Sequence, residues 1–229
     1  MKALVIEQDE SEKSALVGEL LVERGFVLES FVVQRDVSSP GGRTDFPEPD
    51  GYDLILPMGS PWSVHDPSIA EWLVPELELL AGATKAGVPV FGICFGAQAL
   101  AAATGGTVRR APVPEIGWRE VVSNVPAIAG RWFQWHQDVF TVGPDATVLA
   151  HSQVGQQVFR VGRSVGVQFH PEVNGDHLAF WLASGGATEM EAQGGDPAEV
   201  LASTRAKDPE MRVRVSDLLD WFLEEVAGS

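Results

Sequence analysis

The chain has 229 residues, 45% of them hydrophobic and 21% charged, which suits one large α/β domain or a domain with a helical appendage. Sixteen Lys and Arg against 32 Asp and Glu leave a formal charge of -16, which repels phosphate backbones and anionic head groups, so nucleic acid and membrane surfaces are excluded as partners. The lone cysteine, Cys94, leaves no internal disulfide and fits a reducing compartment, and the apolar run after Met1 is too short for a signal peptide, so a cytoplasmic location is expected.

In chain order, the first half alternates strand-like and helix-like patterns, as βα units around a mainly parallel sheet do. Ala3 to Ile6 reads as a first strand. Ser11 can cap a helix that places Leu16, Val17, Leu20 and Leu21 on one face and stops at Gly25. Phe26 to Val33 is a second strand and Tyr52 to Leu56 a third, separated by turn-rich residues around Pro40 and Pro47. Ser68 to Ala86 is helical in pattern, with Pro75 expected to kink or divide it. Val88 to Ile93 is a continuous apolar strand, and Ala97 to Ala103 a helix ended by Gly105-Gly106.

From Thr107 the pattern changes to short strands, among them Trp118 to Val122, Val148 to His151, Val158 to Val161 and Val165 to Phe169, which predicts a partly antiparallel half. Beyond Glu172 the chain turns helical, first at Asp176 to Ala183. Gly-rich links follow at Gly185-Gly186 and Gly194-Gly195, and a long helix runs from Pro197. Its stripe of Leu218, Leu219, Phe222 and Val226 fits the core, or alternatively a homodimer. The pattern as a whole predicts a doubly wound α/β fold, with a catalytic core over about 1–184 and a C-terminal helical extension over about 185–229 of a single domain.

Gly92-Ile93-Cys94-Phe95-Gly96 has the spacing of a nucleophile elbow, the tight strand-to-helix turn that exposes a catalytic side chain. A cysteine there lies at a helix N-terminus, where dipole and free N–H groups favour the thiolate, and the Phe95 N–H points toward any oxyanion formed beside the sulfur. Gln168-Phe169-His170-Pro171-Glu172 ends an apolar strand, on which residues two apart share a side. His170 can therefore act as general base and acid while Glu172 orients it. Either element alone reads better as structure, a buried small thiol or a surface His–Glu pair before a Pro turn. His65, His136, His151, His170 and His177 show no ligand spacing with Cys94, so no metal and no cofactor is expected.

With both elements in place the sequence resembles the class I, or triad, glutamine amidotransferases. Gly92 to Gln98 looks like the family's nucleophile motif and Gln168 to Glu172 like its His-Pro-Glu motif, with weaker matches at Glu115 to Trp118, Trp135 to Asp138 and Gln157 to Arg160. Together they are most similar to members related to the amidotransferase domain of guanylate synthase. The resemblance implies a flavodoxin-like fold, a Cys94–His170–Glu172 triad, contact of Gln98 with bound glutamine, and backbone near Gln137 and Asp138 holding its α-amino and carboxylate groups. By sequence alone Gln98 is as readily a helix-face amide, and Trp135 with His136 a packed pair. Two positions depart from the family: the oxyanion loop reads Gly59-Ser60-Pro61 in place of Gly-Gly-Pro, which assigns the second backbone donor to Ser60, with Gly59 beside it, and Ala97 stands where many relatives carry a bulkier residue, which would alter access.

Three functions fit this reading. A glutaminase would pass ammonia to a synthetase on a separate chain, a free-standing hydrolase would cleave γ-glutamyl peptides or conjugates, and a silent binding protein would retain only the fold. No phosphate-binding loop of the P-loop type is present to supply an acceptor domain within the sequence.

Overall fold

The structure, a computed structural model, describes residues 1–10, 13–35 and 38–228. Strand β1 (Lys2–Glu7) is buried from its second residue onward because both faces are covered. It pairs in parallel with β2 (Val27–Val32) on one side and β3 (Leu54–Pro57) on the other. Helix α1 (Ala15–Glu23) buries the four expected residues, Leu16, Val17, Leu20 and Leu21, and Gly25 ends the turn at φ 84°. The expected cap Ser11 lies outside the described residues; the residue before the helix is Ser14, whose side chain makes no capping bond.

Helix α2 (Ala70–Ala86) is not divided at Pro75, one of the two outcomes expected there. Proline at this position deprives only the Glu71 carbonyl of its helical donor, and Glu71 is exposed, so water can take that role. Strand β4 (Phe91–Ile93) follows, and a parallel bridge between Ile55 and Val90 joins it to the first sheet. Beyond β4 lie β9 (Ser164–Val167, parallel), then β8 (Gln156–Val161), β7 (Thr147–His151), β5 (Thr107–Ser123) and β6 (Gly130–Thr141), all antiparallel. The fold is the expected α/β class with flanking helices, its second half antiparallel. Strand β6 was not legible as a strand, because Trp132, Phe133 and Gln134 are all buried and no alternation survives.

Helix α3 (Phe95–Ala103) packs behind β4. After the site, α4 (Gly175–Trp181) continues through a wide turn at Leu182–Gly186 into α5 (Ala187–Ala192), broken only at Ser184 and Gly185. The expected Gly185-Gly186 link is thus a kink inside helical backbone. Helix α6 (Pro197–Trp221), capped by Asp196, carries the apolar stripe onto the protein's own core. Leu218, Leu219, Phe222 and Val226 are at most 1% exposed, and the Phe222 ring meets Phe91 edge-on at 5.0 Å. Each such side chain contributes about 1.5–3 kcal/mol, and none of the four is left to bind a second copy.

Gln8, just past β1, donates to Glu76 of α2 at 2.8 Å, and both are fully buried. Burial raises the Glu76 carboxyl from its ordinary 4.5 to about 8, against a smaller lowering by Gln8, so it is uncharged at neutral pH. Between pH 4.5 and about 8 the unfolded chain has released this proton and the folded chain has not, so stability falls as pH rises through that window, by a few kcal/mol at most. Glu76→Gln retains the bond and removes the ionisation. Its thermal midpoint should match wild type near pH 4.5 and exceed it by several degrees near pH 8; equal midpoints at pH 8 would refute the assignment.

Candidate active site

Cys94 sits between β4 and α3 with φ 51° and ψ -106°; among the described residues only Ala15 is also a non-glycine at positive φ. Such a conformation costs on the order of 1–3 kcal/mol and persists because its surroundings fix it. The Cys94 N–H donates to Val167 O at 2.8 Å, Gly96 N–H to Met58 O at 3.0 Å and Gln98 N–H to Cys94 O at 3.0 Å, so β9, the end of β3 and α3 each hold one side of the turn. The two glycines are needed for closeness. A Cβ on Gly96 would lie 2.1 Å from the Pro57 carbonyl oxygen, and one on Gly92 would lie 2.7 Å from Gly96 O. Phe95 opens α3, so its N–H has no intrahelical acceptor.

His170 arrives by a different route from the one expected. Strand β9 stops at Val167, so strand alternation does not align His170 with Glu172; the pair is closed across the turn at Pro171. The His170 N–H donates to Phe133 O at 2.8 Å, which ties it to β6, and Nδ1 lies 2.7 Å from Glu172 Oε1. Both side chains are buried, and His170 Nε2 has no hydrogen-bond partner among the described residues. Burial, the largest single influence, disfavours the charged imidazole. The charges of Glu172 and Cys94, with the hydrogen bond to Glu172, outweigh it and hold His170 well above the ordinary histidine range. Leu16 N–H donates to Glu172 O at 3.2 Å, so the start of α1 buttresses the same turn.

These side chains open onto a cleft of about 850 Å³. Ser60 lines it after β3, and its Oγ accepts from Trp62 N–H at 3.1 Å; it is not among the residues at positive φ, so serine is accommodated without left-handed backbone. Gln98 also lines the cleft, but its amide is engaged with Gln168 Oε1 at 3.2 Å and Asp138 O at 3.5 Å, and Gln168 in turn donates to Cys94 Sγ at 3.5 Å. The Asp138 carboxylate is buried, accepts from Ser63 and lies 3.4 Å from His65 Nε2 and 3.5 Å from Arg110. Gln137 is held by Arg110 and Glu189. Trp135 is more than a packed partner, since its carbonyl lies 3.8 Å from Cys94 Sγ. Glu115 is buried beneath, 3.1 Å from His136 Nε2 and accepting from Ser152 and Gln157. Ala97, by contrast, is fully buried with its Cβ against Gly166, away from the cleft, so it does not govern access. Sequence reasoning missed Arg110, Trp181 and Glu189, which come from a strand left unassigned and from helices with no motif to mark them.

A cysteine on a strand-to-helix elbow and a buried His–Glu pair thus meet at an open cleft at the edge of a parallel sheet, in a protein of the α/β class. Residues 11–179 match the model of the class-I glutamine amidotransferase family, and the chain belongs to that family. The GMP synthase [glutamine-hydrolyzing] of Mycolicibacterium paratuberculosis is 37% identical over 131 residues, covering 52% of this chain and 23% of that protein. The one from Aeropyrum pernix is 33% identical over 66% of this chain and 31% of its own length. The chain thus spans about a quarter of the length of these relatives. A glutamine amidotransferase from Thermotoga maritima superposes with a TM-score of 0.84 at 26% identity over 98% of both chains. A glutamine amido transferase from Methylobacillus flagellatus does so at 0.81 and 23% identity, over 98% of this chain and 95% of its own. Among the described residues no helix is long and apolar enough to cross a membrane.

Gly96→Ala should destabilise the protein by about 1–3 kcal/mol or more, because the added methyl meets backbone that cannot swing aside. Chemical denaturation would measure this, and labelling of Cys94 by iodoacetamide should change in rate as the elbow is displaced. Wild-type stability and labelling in the variant would show that the turn has room to spare.

Proposed function

We propose that this protein hydrolyses the side-chain amide of glutamine through a γ-glutamyl thioester on Cys94. The observation that carries this is the convergence, in one cleft, of Cys94 on its constrained elbow with the His170–Glu172 pair. The Cys94 thiolate attacks the δ-amide carbon, and the N–H groups of Phe95 and Ser60, with Gly59 adjacent, stabilise the oxyanion. His170 gives its Nε2 proton to the departing ammonia, then takes one from the water that cleaves the thioester, while Glu172 holds the imidazole through Nδ1. Gln98, Gln137 and Asp138 line the part of the cleft assigned to the α-amino and carboxylate groups of glutamine, with the Asp138 and Gln98 side chains already fixed by protein partners.

Ammonia then goes to an acceptor enzyme, as the kinship with GMP synthases suggests. The whole chain acts as one domain, with the helices from about residue 185 as its extension. A second reading is favoured by the size of the cleft. At about 850 Å³ it falls in the range that holds drug-sized ligands, more room than glutamine needs, which suits hydrolysis of a larger γ-glutamyl conjugate.

Cys94→Ala should lower release of ammonia or amine roughly a millionfold, the scale of losing a triad nucleophile, with the thermal midpoint little changed. Turnover retained in that variant would defeat the thioester mechanism. The two readings separate at Ser60, whose side chain braces the loop at Trp62. For a channelling glutaminase, isolated wild type should hydrolyse glutamine slowly and Ser60→Gly should speed it, by up to the roughly 100- to 1000-fold that one oxyanion donor is worth. Rapid turnover of a γ-glutamyl peptide by wild type alone, with no gain from Ser60→Gly, would select the free-standing hydrolase.

A further inference from the structure

The match to the family ends at residue 179, yet the residues just beyond it reach both halves of the candidate triad. Trp181, the last residue of α4, sets its ring edge-on against the His170 imidazole, with centroids 5.0 Å apart and planes at 82°. The same indole is gripped on its other sides by His177 at 4.7 Å and Trp135 at 5.7 Å. Eight residues on, Glu189 of α5 accepts from Trp135 Nε1 at 3.0 Å and from Gln137 Nε2. Trp135 is the residue whose carbonyl faces Cys94 Sγ. Between the two anchors the backbone leaves helical geometry at Ser184 (φ -89°, ψ 17°) and Gly185 (φ 111°), which turns α5 toward the cleft.

We propose that Trp181 is a positioning residue for His170, and that Glu189 keeps it in place by fixing the Trp135 wall behind it. This rests on the reading of His170 as the proton-transfer group. An imidazole bonded only through Nδ1 is free to tilt about that bond, and tilting would carry Nε2 away from the sulfur. The indole edge blocks the tilt and fills space that water would otherwise enter, so the Nδ1–Glu172 bond stays short and dry. Phe133 holds the backbone of His170 through its carbonyl, and Glu172 holds one ring nitrogen. The buried Nε1–H of Trp181 has no acceptor among the described residues, so this indole is held by packing alone at a cost in unmade hydrogen bonding.

The test compares Trp181→Leu, which fills part of the volume without a ring edge, with Trp181→Phe, which restores an edge, and with Cys94→Ala as control. Steady-state kinetics with glutamine should give a kcat for Trp181→Leu lower by about 10- to 100-fold, the scale of a misplacement near 1 Å, with KM changed far less. Trp181→Phe should recover most of the loss. In proton NMR, the downfield resonance of the His170 Nδ1–H bonded to Glu172 should be visible in wild type and Trp181→Phe, and broadened by water exchange in Trp181→Leu at an unchanged thermal midpoint. Glu189→Ala, a change at the half-buried rim, should lower kcat in the same direction by a smaller factor, and it serves should Trp181→Leu not fold. Wild-type kcat and an intact resonance in Trp181→Leu, or wild-type kcat in Glu189→Ala should that variant not fold, with Cys94→Ala inactive, would overturn the positioning role while leaving the thioester reading standing. Activity in Cys94→Ala would overturn both.

Discussion

The site depends on how closely the backbone of Gly96 passes Pro57. Helix α3 can begin immediately after β4 only because the chain turns in one residue, and that residue, Cys94, is driven to positive φ by the approach. Hydrophobic packing supplies the force: Phe91, Ile93 and Phe95 are at most 1% exposed, so the turn cannot relax without unburying side chains worth about 1.5–3 kcal/mol each. The strain at Cys94 is smaller than this and is therefore tolerated. Cys94 is thereby held where it lines the cleft.

A second constraint works from the other end of the chain. Helix α6 and the turn that continues it at Phe222–Val226 are bound to the core by Leu218, Leu219 and Phe222, and α6 holds the start of the α4–α5 span. Asp208 of α6 accepts from the Gly175 N–H at 3.0 Å, which anchors the first turn of α4. Trp118 Nε1–H donates to Thr204 Oγ1 at 3.1 Å, which anchors α6 to the antiparallel half of the sheet. Trp181 and Glu189 therefore meet the cleft from a segment that is itself tied down. A helix stripe that reads as a candidate dimer seam turns out to hold the wall of the site.

What the sequence made legible follows from how local each cause is. The elbow and the His-Pro-Glu segment were readable because glycine, proline and a nucleophile at fixed spacing carry their geometry within five residues. The parallel strands were readable because they are buried on both faces and bounded by turn residues. Strand β6 was not: burial of the consecutive Trp132, Phe133 and Gln134 erases the alternation that marks a strand. Pro75 did not divide its helix because a proline's effect depends on whether water can reach the carbonyl it strands. Gln137 and Asp138 were named only through family resemblance, and the partners that hold Gln137, Arg110 and Glu189, lie 27 and 52 residues away in sequence, a relation no local pattern encodes.

The topology explains why residues so far apart meet at all. The strands of the parallel set share one direction, so their carboxyl ends open on one edge of the sheet. Asp9 and Glu10 follow β1, Ser60 follows β3, Cys94 follows β4 and His170 follows β9, and all of them line the cleft. Neighbours in this sheet alternate in sequence order about β1, with β2 on one side and β3 on the other, which is where crossovers diverge and leave a crevice. The antiparallel strand β6 contributes differently: Trp135 to Asp138 enter from its middle as a side wall, because its pairing with β5 shifts register between Arg110 and Glu115. That irregularity places Arg110 opposite Asp138 while Glu115 pairs with His136. The parallel strand ends thus set the candidate reacting groups, and the irregular antiparallel pair sets the polar wall beside them, so substitutions in the β5–β6 pair can retune what the cleft accepts without disturbing the elbow.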